Sequence, residues 1–331
     1  MRILLWHVHG SWMTAFVQGG HDYLVPVLPD RGPDGLGRAR TWDWPASVTE
    51  LSPAELREQD VDLVLLQRPH ELDLVPDWLG RRPGQDLPAI YLEHNAPDEA
   101  PCTQRHPLAD RSDIALVHVT HFNDLVWDSG RAPRTVIEHG ILDPGARYTG
   151  ELARAAVAVN EPGRRGRIVG ADLIEGFAPV APVDVFGMGA ADFVAGRVAA
   201  GVPADRLAGH SDIETQDQMH TELARRRAYL HLTRWTSLGL SLIEAMQLAM
   251  PVLALATTEA VAAVPPEAGV LSTDPGQLAR RLRELIAEPE LARDCGLAAR
   301  AAALERYGLK RFLADWDALL DQHAGQRRTT L

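Results

Sequence analysis

Lysine is almost absent from the sequence, because only Lys310 among the 33 basic residues is a lysine and the rest are arginines. Contacts to phosphate must therefore fall to arginine, whose planar guanidinium can bind two oxygens at once. The two cysteines, Cys102 and Cys295, lie far apart and form no Cys-x-x-Cys pair. This scarcity excludes a disulfide framework and is typical of proteins in a reducing compartment.

An excess of positive charge is also missing, since 45 acidic residues outnumber 33 basic ones and give a net charge of −12. That balance weighs against a broad nucleic-acid interface and against a polybasic membrane patch. No apolar run approaches the roughly 18 residues that a membrane span needs. The apolar run at residues 3–6 is too short for the core of a secretory signal, and we expect a cytoplasmic protein without a transmembrane segment.

The length of 331 residues argues for two domains, at about 100–200 residues for each. Short runs rich in Val, Ile and Leu alternate with longer mixed segments, as buried parallel strands alternate with crossover helices. Predicted strands cover residues 3–8, 23–28, 61–66, 89–92, 115–119 and 135–137, and the pattern restarts at 155–159, 183–186, 228–232, 252–256 and 269–271.

This alternation predicts an α/β protein with two Rossmann-like domains facing a central cleft, and with ligands at the carboxyl ends of the strands. A segment rich in glycine and proline at 143–150 marks the linker. We therefore place the first domain at residues 1–147 and the second at 148–306.

A glycine turn that opens directly into a helix is the most informative motif. Residues 236–246 are Thr-Ser-Leu-Gly-Leu-Ser-Leu-Ile-Glu-Ala-Met. The amides of Gly239, Leu240 and Ser241 would point out of the helix N-terminus, where they can bind an anion. Glu244 lies about one turn further on and can accept hydrogen bonds from a ribose diol. The alternative is a plain strand–helix junction with a solvated Glu244.

This segment resembles the carboxyl-domain signature of retaining GT-B glycosyltransferases of the mannosyltransferase and sucrose or glycogen synthase type. The signature is Glu, seven residues and Glu, with Phe-Gly-Leu inside and Glu-Ala-Met-Ala-x-Gly-x-Pro-Val at its end. Leu-Gly-Leu at 238–240 and Glu-Ala-Met at 244–246 match it. The resemblance implies that Glu244 binds the nucleotide ribose.

Thr236 stands where the family has its first glutamate, which contacts the donor sugar. The resemblance places Thr236 in the donor site, but the missing carboxylate keeps two alternatives open. One is a nucleotide-sugar binding protein without transfer activity, and the other is a sugar-nucleotide epimerase on the same fold.

Further segments resemble the same family. Gly10 and Ser11 fall where its glycine-rich first loop meets the nucleotide sugar, and residues 136–143 resemble the Val-Ile-Pro-Asn-Gly-Val-Asp segment that ends its amino domain. The end of the chain, at 307–324, resembles the final helix that crosses back onto that domain.

An arginine-rich segment, Gly163-Arg164-Arg165-Gly166-Arg167, follows the first strand of the second domain. In the family an arginine and a lysine after this strand neutralise the donor diphosphate. We therefore expect Arg164 and Arg167 to stabilise the leaving group and Arg165 to bind the donor. The alternative is a solvated basic loop. Gly187 belongs to a Gly-x-Gly that resembles the end of the next strand in such domains.

His94 follows the predicted strand at 89–92, where the family has a histidine beside the sugar and the reacting centre. The resemblance implies that its imidazole bonds a sugar hydroxyl or that its carbonyl stabilises oxocarbenium-like charge. The alternative is a histidine whose hydrogen bonds are satisfied by the local turn.

His7-Val8-His9 indicates one function of another class, because metal-dependent amidohydrolases bind zinc through such a pair. That chemistry needs further ligands and commonly a carbamylated lysine, but Lys310 comes too late in the chain. We therefore expect no metal site.

The sequence thus predicts a retaining, metal-independent glycosyltransferase without a cofactor. It would move a hexosyl group from a nucleoside-diphosphate sugar to a glycan, lipid or small-metabolite acceptor. The donor nucleotide, the acceptor and the oligomeric state stay open.

Overall fold

Two parallel sheets organise the chain, and each belongs to its own structural unit. The computed structural model describes residues 1–328, with side chains as far as residue 323. Unit 1 comprises Met1–Leu142 together with the chain from Leu309 onward, and unit 2 comprises Asp143–Gly308. The boundaries therefore fall after residues 142 and 308, near the 147 and 306 expected from the sequence.

The strands of unit 1 are Arg2–Leu5 (β1), Asp22–Pro26 (β2), Val48–Leu51 (β3), Leu63–Leu66 (β4), Ala89–Glu93 (β5), Ala115–His118 (β6) and Arg134–Val136 (β7). Those of unit 2 are Leu152–Ala158 (β8), Val183–Phe186 (β9), Leu207–His210 (β10), Arg226–His231 (β11), Val252–Leu255 (β12) and Gly269–Ser272 (β13).

The helices, in chain order, are Gly10–Phe16 (α1), Pro53–Arg57 (α2), Glu71–Leu79 (α3), His121–Val126 (α4), Pro162–Arg165 (α5), Ala171–Phe177 (α6), Ala190–Ala199 (α7), Gln216–Ala224 (α8), Leu240–Gln247 (α9), Ala260–Ala263 (α10), Pro275–Ala287 (α11), Pro289–Tyr307 (α12) and Leu309–Arg328 (α13). None of the helices described is long and apolar enough to cross a membrane.

Both sheets have the strand order of a doubly wound fold. The order is β3-β2-β1-β4-β5-β6-β7 in unit 1 and β10-β9-β8-β11-β12-β13 in unit 2. Every neighbouring pair of strands is parallel. The prediction of two Rossmann-like α/β domains is confirmed. The strand order reverses between β1 and β4 in unit 1 and between β8 and β11 in unit 2. Open sheets of this kind bind ligands at the point of reversal.

The last helix packs on unit 1 through a cluster of aromatic rings. Phe312 and Trp316 are almost fully buried, and the Trp316 ring lies 5.6 Å from Trp12 and 5.0 Å from Phe16, centroid to centroid. Gly140 lies directly against this helix, since an added Cβ would approach Phe312 Cβ to 2.2 Å. The expected return of the final helix to the first domain is therefore confirmed.

Side-chain caps define where two of the helices begin. Ser52 and Glu55 form a capping box at the start of α2, with the Ser52 amide donating to Glu55 Oε2 at 2.8 Å. Asp274 caps α11 by accepting the Gly276 amide at 2.8 Å. One face of α11 is buried, and the buried side chains are Leu278, Leu282 and Leu285.

Two edge strands, β3 and β10, were not predicted from the sequence, because each has only a weak strand pattern. β3 has only four residues and is partly exposed, so its apolar pattern is incomplete. β10 contains Gly209, which strand propensities disfavour. That glycine is needed because an added Cβ would lie 2.5 Å from the Ala190 carbonyl oxygen in α7.

The helix that follows the glycine turn, α9, extends from Leu240 to Gln247. Ala249 has a positive φ of 68°, which ends the helix and turns the chain toward β12. The apolar side chains spaced four residues apart along this segment, Leu242, Met246 and Met250, are fully buried.

Candidate functional site

The candidate site in unit 2 lies at the carboxyl ends of β8 and β11, where the strand order reverses. Asn160 and the arginine-rich segment follow β8, whereas Thr236 and the turn into α9 follow β11. The sheet therefore brings together the two segments that the sequence analysis assigned to a donor phosphate and ribose. Thr236 itself is partly exposed in the loop between β11 and α9.

The N-terminus of α9 has no side-chain cap, because its N-cap residue is Gly239. The Leu242 amide donates to the Gly239 carbonyl at 2.9 Å, and the amides of Leu240 and Ser241 are left for other acceptors, as an anion site requires. Gly239 is needed for packing, since an added Cβ would lie 2.5 Å from His231 Cε1. Burial lowers the pKa of His231 to about 4, so a neutral imidazole lies against the turn at physiological pH.

Ser241 anchors α9 to the sheet through its hydroxyl. Tyr229 Oη in β11 donates to Ser241 Oγ at 2.9 Å, and Ser241 Oγ donates to the Ala158 carbonyl of β8 at 3.4 Å. The hydroxyl is therefore engaged within the fold. The part of Ser241 that a bound anion can use is its backbone amide, as for Leu240 beside it.

Glu244 is buried in the middle of α9, with a side chain only 6% exposed. Gln216 Nε2 in α8 donates to Glu244 Oε2 at 2.8 Å. His220 Nε2, one turn further along α8, lies 3.4 Å from the same oxygen. The carboxylate expected to bind ribose is thus held by a second helix that the sequence analysis did not include in the site.

The three arginines expected near the phosphates differ in their partners. Arg164 pairs with Glu161 and is 73% exposed, and Arg167 pairs with Asp172 at 2.9 Å and is 77% exposed. Arg165 is half-buried, and its side chain forms no hydrogen bond or ion pair with any residue described. Burial and the neighbouring Arg164 charge lower the pKa of Arg165. An anion beside Arg165 would offset both effects.

Gly187 joins the ends of three strands. Its φ is 127°, and an added Cβ would lie 2.5 Å from the Val159 carbonyl oxygen. Ser211 Oγ, after β10, donates to the Gly187 carbonyl at 3.2 Å, and Asn160 Oδ1, after β8, accepts the Met188 amide at 3.0 Å. This loop therefore forms part of the same edge of the sheet as α9.

Unit 1 has its own polar cluster, at the carboxyl ends of β1, β5 and β7. The rings of His9 and His94 lie 3.9 Å apart, centroid to centroid. His139 is 2% exposed, and neither of its ring nitrogens has a hydrogen-bond partner among the described residues. Gly10 and Ser11 begin α1 directly after His9. The predicted residues of unit 1 therefore lie together at one edge of its sheet.

Gln67 determines the tautomer of His94. Gln67 Nε2 donates to the Trp6 carbonyl at 2.7 Å, so the Gln67 amide oxygen faces His94 Nε2 at 3.0 Å. An amide oxygen only accepts, and His94 Nε2 must therefore carry the proton. His94 Nδ1 is then a hydrogen-bond acceptor, suited to a hydroxyl group.

The histidines of this cluster are neutral. Burial and the Arg68 charge lower the pKa of His9 to about 4, and burial together with His9 and Arg311 lowers that of His139 to about 3. The pKa of His94 lies well below its usual value for the same main reason, burial. Among the described residues no group of three or more His, Cys, Asp or Glu side chains is arranged to hold a metal ion.

Four polar residues of the two clusters were not predicted from the sequence: Gln67, His139, Gln216 and His220. Gln216 and His220 are four residues apart, the spacing of one helix face. This spacing would have predicted that both side chains lie on one face of a helix. Without β10, the strand that precedes α8, nothing in the sequence indicated a position for that helix beside the sheet.

Part of unit 2 matches a known family. Residues 210–302 match the model of the family described as glycosyl transferases group 1. This segment begins at the end of β10 and includes α8, Thr236, Gly239 and Glu244. A search of curated proteins finds no match to the chain.

Solved glycosyltransferases and synthases share the fold of the whole chain at low sequence identity. Sucrose-phosphate synthase from Thermosynechococcus elongatus aligns with a TM-score of 0.73 at 14% identity, over 97% of this chain and 98% of that one. HepE from Anabaena, in complex with UDP and glucose, gives 0.69 at 14% identity, over 97% and 100%. A glycosyltransferase from Rickettsia africae gives 0.67 at 12% identity, over 97% and 98%.

These matches confirm the predicted GT-B fold. The family match covers the segment with the predicted signature and supports the prediction of a glycosyltransferase.

The buried histidines of unit 1 predict acid sensitivity. Their pKa values lie below the model-peptide value of about 6.5, so the unfolded chain binds more protons than the folded chain as the pH falls from 7 to 5. The free energy of unfolding should therefore decrease over this range, by up to about 1.4 kcal/mol per pH unit for each such histidine. Denaturant titrations at pH 7, 6 and 5 measure it.

The His139→Asn variant should have a shallower pH dependence than the wild type, and His121→Asn, on the exposed start of α4, serves as its control. An unfolding free energy that stays constant from pH 7 to 5, or equal slopes in His139→Asn and the wild type, would contradict this interpretation.

Proposed function

We propose that the chain is a retaining, metal-independent glycosyltransferase that binds a nucleoside-diphosphate sugar on unit 2 and needs no further cofactor. One observation carries this proposal: the open N-terminus of α9 and the buried Glu244 carboxylate belong to one helix, at the point where the strand order of unit 2 reverses. A phosphate binder and a ribose binder at that point suit a nucleotide. The HepE structure in complex with UDP supports the same class of donor.

Arg165 is the best candidate among the arginines for the diphosphate. Arg164 and Arg167 already have carboxylate partners and extend mostly into solvent. Arg165 is half-buried and has no such partner among the described residues, so a diphosphate would supply the missing charge. Together with the amides of α9, the Arg165 guanidinium would bind the donor without a metal ion.

The same groups serve the chemical step. Transfer breaks the bond between the anomeric carbon and the diphosphate and forms a bond to the acceptor oxygen, so negative charge develops on the leaving diphosphate. Hydrogen-bond donors fixed in place before the reaction stabilise that charge most effectively. Retention of configuration is proposed from the resemblance of residues 236–252 to the retaining families.

The histidine cluster of unit 1 suits a hydroxyl-bearing group of the acceptor or the sugar. His94 is neutral, and its Nδ1 is fixed as an acceptor by Gln67, so it can receive a hydrogen bond from a hydroxyl. A glycan, a polyol headgroup of a lipid or a small metabolite each provides such hydroxyls.

A second candidate function is nucleotide-sugar binding without transfer. Thr236 favours it, because a threonine cannot supply the carboxylate that the family uses on the donor sugar. Incubation with a nucleotide sugar distinguishes the two, since a binding protein releases no sugar whatever the acceptor.

A panel of nucleoside diphosphates tests the donor site. GDP, UDP, TDP or ADP at 100 times its Kd should stabilise the protein by about 2.7 kcal/mol, which raises the Tm by several degrees even with a chelator present. The shift should shrink in Glu244→Gln and persist in Glu284→Gln, a matched change near the end of α11. An unchanged shift in Glu244→Gln, or no shift with any nucleotide, would contradict the proposal.

The roles of Arg164 and Arg165 can be distinguished by how much each contributes to binding of the diphosphate. Arg165→Ala should weaken binding of the nucleoside diphosphate about tenfold or more, because a hydrogen bond to a charged group contributes about 1.5–3 kcal/mol. Binding of the corresponding nucleoside should not change. Calorimetric titration measures both ligands, with Arg164→Ala as the control. A larger loss in Arg164→Ala than in Arg165→Ala would return the role to the residue first expected.

A further inference from the structure

We infer that Gln216 and His220, on α8, are positioning residues that hold the Glu244 carboxylate in place for the nucleotide ribose. The inference rests on the proposed function of unit 2 and adds two residues to it. Neither residue belongs to the signature at 236–252, and nothing in the resemblance assigns them a role.

The three side chains form a compact triangle of polar atoms. Gln216 Nε2 lies 2.8 Å from Glu244 Oε2 and 3.0 Å from His220 Nε2, and His220 Nε2 lies 3.4 Å from Glu244 Oε2. The side chains of His220 and Glu244 are only 7% and 6% exposed. A buried carboxylate in such a site is expected to have its rotamer fixed by these contacts.

The hydrogen-bonding capacity of the three side chains determines which of them donates and which accepts. An ionised carboxylate only accepts, so the Gln216 nitrogen, and not its oxygen, must face Glu244. The same nitrogen carries a second hydrogen, which His220 Nε2 accepts at 3.0 Å. His220 therefore fixes the Gln216 amide, and Gln216 fixes the Glu244 carboxylate.

The helix that carries these residues is itself anchored at both sides of its first turn. Thr215 Oγ1 caps α8 by accepting the Gln218 amide at 3.1 Å. Arg147 donates to the Asp217 carbonyl at 3.3 Å and to Thr221 Oγ1 at 3.2 Å. Gln216 and His220, one turn apart, thus face α9 from a fixed position.

This arrangement affects binding through pre-organisation. A carboxylate offers about four lone-pair positions, and the Gln216 amide uses one of them. With its rotamer already fixed, Glu244 loses less side-chain freedom when it accepts hydrogen bonds from the ribose hydroxyls. The benefit of Gln216 should therefore depend on those hydroxyls being present in the ligand.

The test compares ligands with and without the ribose diol. Dissociation constants are measured by calorimetry for UDP, GDP and ADP and for their 2′,3′-dideoxy counterparts. The Gln216→Leu variant should bind the ribonucleotide that the wild type prefers about fivefold to tenfold more weakly, whereas its affinity for the dideoxy form should equal that of the wild type. Gln218→Leu, the same change on an exposed position of α8, should alter neither.

Two further variants test the order of the contacts. His220→Phe keeps a ring but loses the acceptor for Gln216, and it should reproduce part of the loss for the ribonucleotide. His220→Gln provides an acceptor again and should restore affinity. In a Glu244→Gln background, Gln216→Leu should cause no further loss, because the group that it positions is already changed.

Equal losses for the ribonucleotide and its dideoxy form in Gln216→Leu would overturn the inference and indicate that Gln216 contacts another part of the nucleotide. Additive losses with Glu244→Gln would overturn it as well. Should Gln216→Leu fail to fold, as its Tm would reveal, Gln216→Asn replaces it and shortens the side chain without adding an apolar group. A Glu244→Gln variant that binds both ligand forms like the wild type would instead contradict the proposed ribose site itself.

Discussion

The hydrogen bonds of the Ser241 hydroxyl fix the geometry on which the candidate site depends. They join Tyr229 of β11, the first turn of α9 and the Ala158 carbonyl of β8. β8 and β11 are the neighbouring strands at which the strand order of unit 2 reverses. A helix fixed at this point has its open N-terminus at the carboxyl edge of the sheet, where the candidate site lies. The anion-binding character of the site thus follows from backbone amides that the hydroxyl holds in place, while Gly239 lets the turn approach His231.

Charge is arranged differently in the two units. In unit 2 a buried carboxylate, Glu244, and a half-buried guanidinium, Arg165, lie on segments that follow neighbouring strands. In unit 1 the corresponding edge of the sheet carries histidines whose burial keeps them uncharged. The first arrangement suits a ligand with a diphosphate and a ribose. The second arrangement suits a ligand with hydroxyl groups, because a neutral imidazole can both donate a hydrogen bond to a hydroxyl and accept one from it. A neutral imidazole attracts a charged ligand only weakly.

The features that the sequence predicted correctly are local. Buried strands show as runs of Val, Ile and Leu, and the glycine turn into α9 with Glu244 one turn later is a contiguous pattern. The features that were missed depend on other parts of the chain. Gly209 weakens the apolar pattern of β10 in the sequence, and its place there is explained only by the packing of α7 against it. The Ser241 hydroxyl accepts a hydrogen bond from Tyr229, 12 residues away. The hold of Gln216 on Glu244 spans 28 residues, and no local spacing reveals such a contact.

Hydrogen exchange of the whole protein, with and without a saturating nucleoside diphosphate, tests whether the diphosphate binds at the first turn of α9. We expect slower exchange in the peptides that contain the first turn of α9, at residues 239–243, and in those that contain the loop after β8, at 160–167. Protection there would place the diphosphate at the N-terminus of α9 beside Arg165. Binding that leaves both segments unprotected, while it slows exchange elsewhere, would contradict the account.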